Sequence, residues 1–521
     1  MIVEVLLIVV VTLFFILYHI SKRKFGYWKE RNIPYLEPVP ILGNYGPFIM
    51  QRKYNGKMAQ ELCQKFPDEP YFGVFYGTEP TLMVQDPEMI KTVMTKDFYY
   101  FSCREISNYT HREVFTQNLF FICGHKWRVL RQNLTPLFSS SKMKNMFYLI
   151  EECVQVFEGM LDRDIKVNNV QGVRHLMARF TMDCIGLCAF GIETKTMEQD
   201  SRKNPFTSIA AIMFMESYIR GTMIVVRAIW PALFYGLGIK LFPKIALNFF
   251  KKLMRGVFED RQYKPTNRND FVDLILNWKK NNFISGDSLQ NMKGGENKVR
   301  LEIDDEMLVS QCMLFFAAGF ETSSTTLQYL LYELAKDRKA QQKVIGEVDE
   351  YLQLHKNKLE YECTTELPFT EACIDEALRL YPAVGILTRE LVEDYTLPCG
   401  AVIGNGIRVH IPVYHLHHNP KFFTDPEMFR PERFYKQKRD VIPYTHIPFG
   451  EGPRACIGMR FAKMQMFSGI ITLLKKYQVE LAADTPRKLN FKSTTLVTQP
   501  KELIKLKFVE REGWEKRMFN K

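Results

Sequence analysis

One cysteine stands in an unusual setting. In Phe449-Gly450-Glu451-Gly452-Pro453-Arg454-Ala455-Cys456-Ile457-Gly458 a thiol shares a short stretch with three glycines, a proline and an arginine. Glycine opens turns closed to other residues and lets another body come up to the main chain, so the segment is shaped to lie against something. A tight surface turn over a buried thiol would use the same residues, and this stretch alone does not separate the two.

A second stretch departs from its surroundings. Ala317-Ala318-Gly319-Phe320-Glu321-Thr322-Ser323-Ser324-Thr325-Thr326 sets a glycine, an acid and five hydroxyl side chains in an otherwise apolar run, where most are poor helix formers. Small residues leave a groove, and hydroxyls can hold water in it. Close helix packing, with Ser and Thr bonded back to the preceding turn, is the competing reading.

The elements that must position these residues are mostly helical. Asp304, Asp305 and Glu306 put acids where a helix dipole favours them and open a helix expected to reach about Lys336. A hairpin is expected from Tyr71 to Val84 across Gly77-Thr78-Glu79-Pro80, then a helix with Asp86 as N-cap and Pro87 in its first turn. The alternation of Ile407, Val409, Ile411 and Val413 predicts another strand. The polar, glycine-containing segment 281–300 reads as a loop linking two helices. The fold class is mainly α with small β-sheets (α+β).

The chain has 521 residues, 46% hydrophobic and 25% charged, ample for a large core. Its net charge of +12 comes from 70 Lys and Arg against 58 Asp and Glu, and no long basic block points to nucleic acid. The 11 cysteines are scattered with no Cys-x-x-Cys pair, which argues against a disulfide framework or zinc cluster and for reducing surroundings. Val5 to Tyr18 is apolar apart from Thr12, with Glu4 before it and Ser21-Lys22-Arg23-Lys24 after it. Those flanks suit a membrane anchor better than a cleaved signal peptide, and the positive-inside rule leaves the rest cytosolic. The expected organisation is an anchor over 1–21, a basic stop and proline-rich tether over 22–44 with Tyr27 and Trp28 at the interface, and one domain over 45–521.

Together the cysteine stretch and Ala317–Ser324 resemble the two signature segments of the cytochrome P-450 family, the haem-thiolate monooxygenases. Phe449, Gly452, Arg454, Cys456 and Gly458, at roughly a twentieth frequency each, would coincide by chance on the order of once in ten thousand such chains. Trp127 and Arg131, Glu376 and Arg379, Arg389, and Pro431-Glu432-Arg433-Phe434 follow in the family's order. The resemblance spans the chain after the anchor and implies the cytochrome P-450 fold with haem b.

By that resemblance Cys456 is the thiolate ligand of haem iron, beside Phe449. Thiolate donation favours O–O cleavage, and iron with nearby backbone N–H groups would lower the thiol's pKa. Trp127, Arg131, Arg389 and Arg454 correspond to haem-propionate partners, since a guanidinium holds a carboxylate with a fork of donors. Glu376 and Arg379, three apart on a helix, form with Arg433 a structural network. Glu321 and Thr322 are the distal acid-alcohol pair, Thr322 holding dioxygen or the water beside it and Glu321 relaying protons. His415, His417 and His418 invite a metal reading, but the family places a histidine-containing segment here without a metal. The aromatic stretch from Phe206 to Phe250 is either plain core or a cover over the active site that dips into the membrane.

The implied activity is a microsomal monooxygenase of the endoplasmic reticulum, facing the cytosol. No Gly-x-Gly-x-x-Gly fingerprint follows a strand, so NADPH belongs to a partner reductase, NADPH-cytochrome P-450 reductase; the resemblance also admits cytochrome b5. Lys126, Arg128 and Arg460 would meet an acidic reductase surface or are simply solvated. The 40 phenylalanines and 24 methionines suit an apolar, adaptable site for lipophilic substrates. The family's substrate-contact regions map to Phe101–Phe121, the aromatic stretch, Phe315–Phe320, Val384–Leu387 and Thr494–Val497. The tether resembles insect microsomal members of the xenobiotic-metabolising branch, which implies detoxification of plant toxins or insecticides. An endogenous hormone or lipid substrate, a haem isomerase that uses no dioxygen, and a non-catalytic haem-binding membrane protein remain as alternatives.

Overall fold

The computed structural model describes residues 2–198, 203–266, 268, 270–435 and 440–519, with the backbone alone for part of the first helix. A 32-residue helix, Asp305–Lys336, runs through the middle of the protein, ~48 Å long at helical rise. Asp304 caps it, its carboxylate accepting from the Met307 N–H at 2.7 Å, as the acids at 304–306 predict. Most of its circumference is packed, chiefly against the helix Val173–Ile185. The expected groove of small residues has a packing cause at Gly319, where a Cβ would fall 2.8 Å from Ile185 Cδ1.

The β-structure is confined to small sheets around this helical body. The expected hairpin pairs Tyr71–Tyr76 with Glu79–Val84, Tyr71 opposite Val84, and Asp86 caps the next helix by accepting from Met89 N–H at 2.9 Å. Glu79–Val84 runs parallel to Arg408–Ile411, which pairs antiparallel with Leu387–Glu390. The predicted strand from Ile407 to Val413 is therefore shorter than its alternation: Pro412 removes a ladder donor, and Val413 already opens the helix Val413–His417. A second sheet joins Tyr477–Leu481, Lys505–Glu510 and Val170–Gly172.

Segment 281–300 departs from its expected loop. Phe283–Asp287 and Lys298–Glu302 pair as an antiparallel hairpin that packs on the helix Gly124–Leu134, with Gln132 bonded to Asp287 through both backbone and side chain. The two strands are short and mostly polar, so alternation gives no sign of them.

The anchor reading falls largely on side chains outside the described residues. The backbone of Ile2–Lys24 is one 23-residue helix. Among the described residues no single helix is long and apolar enough to cross a membrane, and the bent pair Pro205–Met213 and Tyr218–Ile229 meets that test only jointly. The tether is tied to the domain: Trp28 is fully buried and its indole N–H donates to Val74 O at 3.1 Å.

Candidate active site

The cysteine loop is built backwards from its glycines. Gly450 and Gly452 have φ of +69° and +68°, and a Cβ on Gly452 would lie 1.9 Å from the Met94 carbonyl oxygen. That close approach requires glycine. The Cys456 N–H donates to Phe449 O at 2.8 Å and closes the loop, and Gly458 then starts the helix Met459–Leu474. The thiol faces a cavity of about 270 Å³. The protein packed around the cavity raises its pKa although the residue is exposed to that space, opposed by the Gly458 N–H and the charges of Arg131 and Arg104.

Opposite the cysteine the central helix presents Ala318, Gly319, Thr322, Ser323 and Thr326. Both readings of its hydroxyls hold together. Thr322 Oγ1 donates to Ala318 O at 2.8 Å and Thr326 Oγ1 to Thr322 O at 2.9 Å, while the same side chains line the cavity.

One end of the cavity is strongly cationic. Arg131, Arg389 and Arg454 meet there with Trp127, and Arg104 joins them, a residue its sequence neighbours did not mark. Arg454 is buried and donates to the carbonyls of Ser102, Phe120 and Ile122 at 2.5, 3.3 and 2.6 Å, with its guanidinium 4.5 Å from the Trp127 ring. Arg389, on the strand Leu387–Glu390, is buried with an Nε that has no hydrogen-bond acceptor. Burial, then the charge of Arg454, pushes its pKa down to about 9. Burial, then Arg454 and Arg389, likewise lowers Arg104. No Asp or Glu is among the lining residues. Four guanidiniums without a facing carboxylate fit a group that brings its own acids, and the thiol in the same cavity is a soft ligand for iron. The residues present fit haem.

Phe449, Leu119, Phe120, Phe138, Phe315, Val384 and Leu387 supply apolar walls. The aromatic stretch supplies none of the lining. Phe206 and Phe250 pack on Phe316, and Phe214 on Phe320, against the outer face of the central helix.

Glu321 and Thr322 part company. The Glu321 carboxylate is buried on a different face of the helix, where its Oε1 accepts from Arg174 at 2.5 Å and Gln499 at 3.0 Å. Its Oε2 has no partner. Arg174, Gln499 and Thr494–Val497 surround it in a small separate cavity, so Thr494–Val497 do not line the one that Cys456 faces.

A buried network supports the cysteine loop from behind. Glu376 accepts from Arg379 at 2.8 and 2.9 Å, from Arg433 at 3.1 Å and from the Arg430 N–H at 2.8 Å. Arg379 donates on to His417 O at 2.6 Å. His417, fully buried, has Nδ1 on Arg379 O at 3.2 Å and accepts the Ile447 N–H on Nε2 at 3.0 Å. Ile447 lies two residues before Phe449, so the network ends on the cysteine loop. Among the described residues no three His, Cys, Asp or Glu form a metal cluster. The histidines are instead neutral packing groups: burial pushes His415 down to about 4 and His418 to about 3.

Comparison with known proteins decides the family. The cytochrome P450 family model matches residues 33–508. The chain belongs to the cytochrome P450 family. It is 35% identical to cytochrome P450 6B2 of Helicoverpa armigera over 97% of this chain and 98% of that one. It is 36% identical to cytochrome P450 6B5 of Papilio glaucus (92% and 98%) and 34% identical to cytochrome P450 6j1 of Blattella germanica (92% of each). The protein is thus a P450 monooxygenase, an oxidoreductase whose family binds haem b and receives NADPH electrons through a redox partner.

Proposed function

We propose that this P450 is a membrane-anchored enzyme of the endoplasmic reticulum that oxidises lipophilic foreign compounds, with electrons from NADPH-cytochrome P-450 reductase. The observation that carries the reading is a single cavity with a thiol at one side, four arginines at one end, small and hydroxyl residues opposite and apolar walls elsewhere. Bound haem b supplies the activation of dioxygen. Cys456 would bind its iron, Phe449 would shield the sulfur, and Trp127, Arg131, Arg389 and Arg454, with Arg104, would hold its carboxylates. Thr322 holds a proton donor's place on the cavity side. Glu321, on the neighbouring face with a buried Oε2 that has no partner among the described residues, would relay protons toward it. Glu376, Arg379 and Arg433 hold the cysteine loop in place.

The apolar lining supports lipophilic substrates, and similarity to insect P450 6B proteins supports a foreign-compound role over an endogenous one. The 23-residue first helix, ~34 Å long, and the basic residues that end it support the anchor. Lys126, beside Trp127, and Arg460, in the first turn after the cysteine loop, support docking of an acidic reductase, and cytochrome b5 would use the same face. The test is the spectrum of the reduced enzyme under carbon monoxide, then turnover with reductase, NADPH and a panel of plant toxins and insecticides. A strongly red-shifted Soret band lost in Cys456→Ser, with turnover of several panel members, is expected. Turnover of one endogenous hormone precursor alone would overturn the foreign-compound reading.

A further inference from the structure

A second cavity, about 400 Å³, lies away from the haem site between the end of the first helix and the four-stranded sheet. Its volume falls in the ~300–1,000 Å³ range of small-molecule sites. Lys24 and Tyr27 form one wall, Ile106–Tyr109 another, and Asn405–Arg408 a third.

The charges on its walls are unevenly satisfied. Glu79 accepts from Lys24 at 2.5 Å and from Thr78 at 2.9 Å. Glu390 accepts from the Ser107 hydroxyl and, at 3.4 Å, the Ser107 N–H. Glu105, the other acid near Arg408, is bonded to His410 at 2.6 Å. Both acids of the cavity are thus engaged. Arg408 is not: it is 7% exposed, its Nη1 is buried without an acceptor, and among the described residues no carboxylate lies within 4 Å of it. Its guanidinium lies 5.9 Å from the Tyr76 ring, and its charge acts on Glu105 and Glu390 without an ion pair to either. Around it the cavity offers donors. Tyr27 Oη accepts from the Gly404 N–H at 2.9 Å and keeps its own proton to give, and Asn108, Asn405 and the Lys24 ammonium share the lining.

We infer that this cavity binds a phosphoryl oxyanion, with the Arg408 guanidinium as its fork and Lys24 and Tyr27 as further donors. A guanidinium in want of acceptors is matched by a planar pair of phosphate oxygens, and a cation ligand would find both carboxylates already taken. Two sources carry that chemistry: the headgroup of a phospholipid, or free phosphate. Lys24 ends the first helix, and Pro231 opens a short helix with exposed Leu233 followed by exposed Leu237. The lipid source rests on the proposed membrane anchor; the oxyanion site does not.

The test uses full-length, haem-loaded enzyme in an uncharged detergent, titrated by calorimetry with inorganic phosphate, dihexanoylphosphatidylcholine, and dihexanoylglycerol as a phosphate-free control. Saturable one-to-one binding of at least one phosphate compound, and none of dihexanoylglycerol, is expected. Binding should weaken at least tenfold in Arg408→Gln and in Asn405→Trp, which fills the cavity from an exposed position and leaves the strand intact. Binding of inorganic phosphate assigns the free anion, and binding of the phosphatidylcholine alone assigns a headgroup. No saturable binding of either, or undiminished binding in Asn405→Trp with its haem spectrum intact, overturns the inference. Removal of residues 2–20, which keeps Lys24, tests the anchor separately by vesicle flotation.

Discussion

His417→Phe tests whether the network behind the haem site holds the cysteine loop. The substitution keeps an aromatic body of similar size but deletes both ring nitrogens. Two buried backbone groups lose their histidine contact, the Ile447 N–H at 3.0 Å and the Arg379 carbonyl at 3.2 Å. An unsatisfied buried polar group costs ~1–3 kcal/mol, so the sum is ~2–6 kcal/mol against a total stability of ~5–15. Arg379 O lies in the last turn of the helix Pro368–Leu380, where carbonyls lack an intrahelical donor, so it shares the loss with the Ile447 N–H. His417→Gln restores an acceptor to that N–H and should recover about half the loss. The assay is urea unfolding of the haem-loaded enzyme, followed in parallel by the carbon monoxide spectrum. Loosening the loop should convert the thiolate-type band to a shorter-wavelength form at lower urea than it unfolds the helices. A loss below ~1 kcal/mol in His417→Phe with the thiolate-type band unchanged would refute the connection.

Gly452→Ala forces a Cβ to 1.9 Å from the Met94 carbonyl at a positive φ, so the variant should fold with little or no haem, read from the ratio of Soret to protein absorbance. Glu321→Gln removes the charge that Arg174 pairs with at 2.5 Å; oxidation of substrate per NADPH should fall severalfold with peroxide rising, while substrate affinity, read from the binding spectrum, stays within about twofold. Glu113 ties residues 105–122 to the aromatic stretch, accepting from the Leu241 and Phe242 N–H groups at 3.0 Å each and from Tyr235 at 2.9 Å. Glu113→Ala should speed substrate association and proteolytic cleavage of 105–122 several-fold, checked by stopped-flow and limited proteolysis. Burial lowers the pKa of His415, His417 and His418 below the ordinary 6.5, so the unfolded chain binds protons that the folded chain refuses. Stability is therefore complete above pH ~6.5 and is lost progressively as pH falls below it toward the lowered folded-state values, measurable as a falling urea midpoint.

Much of this was legible along the chain because it is local. The Asp304 and Asp86 caps, the hairpin at 71–84 and the cysteine loop each rest on residues a few positions apart, and backbone geometry reads those directly. The hairpin at 283–302 was not legible, since its strands bury Ile284 and Leu301 but leave most other positions polar or exposed. Arg104 was equally silent: nothing beside it in the chain distinguishes it from a surface arginine, and only the fold sets it among Arg131, Arg389 and Arg454.

By itself the sequence marked the residues proposed to carry chemistry: Cys456 on a loop only glycine can form, Thr322 within a helix of small residues, and arginines enough to meet an acidic cofactor. Tertiary structure decided where each one points. Glu321 and Thr322 are neighbours, but consecutive helical residues stand ~100° apart around the axis. Which of them looks into the cavity of Cys456 is set by what packs on each face. Arg174 and Gln499 come from distant parts of the chain to hold the carboxylate on one side. Those contacts are a property of the folded packing, and no local pattern encodes them.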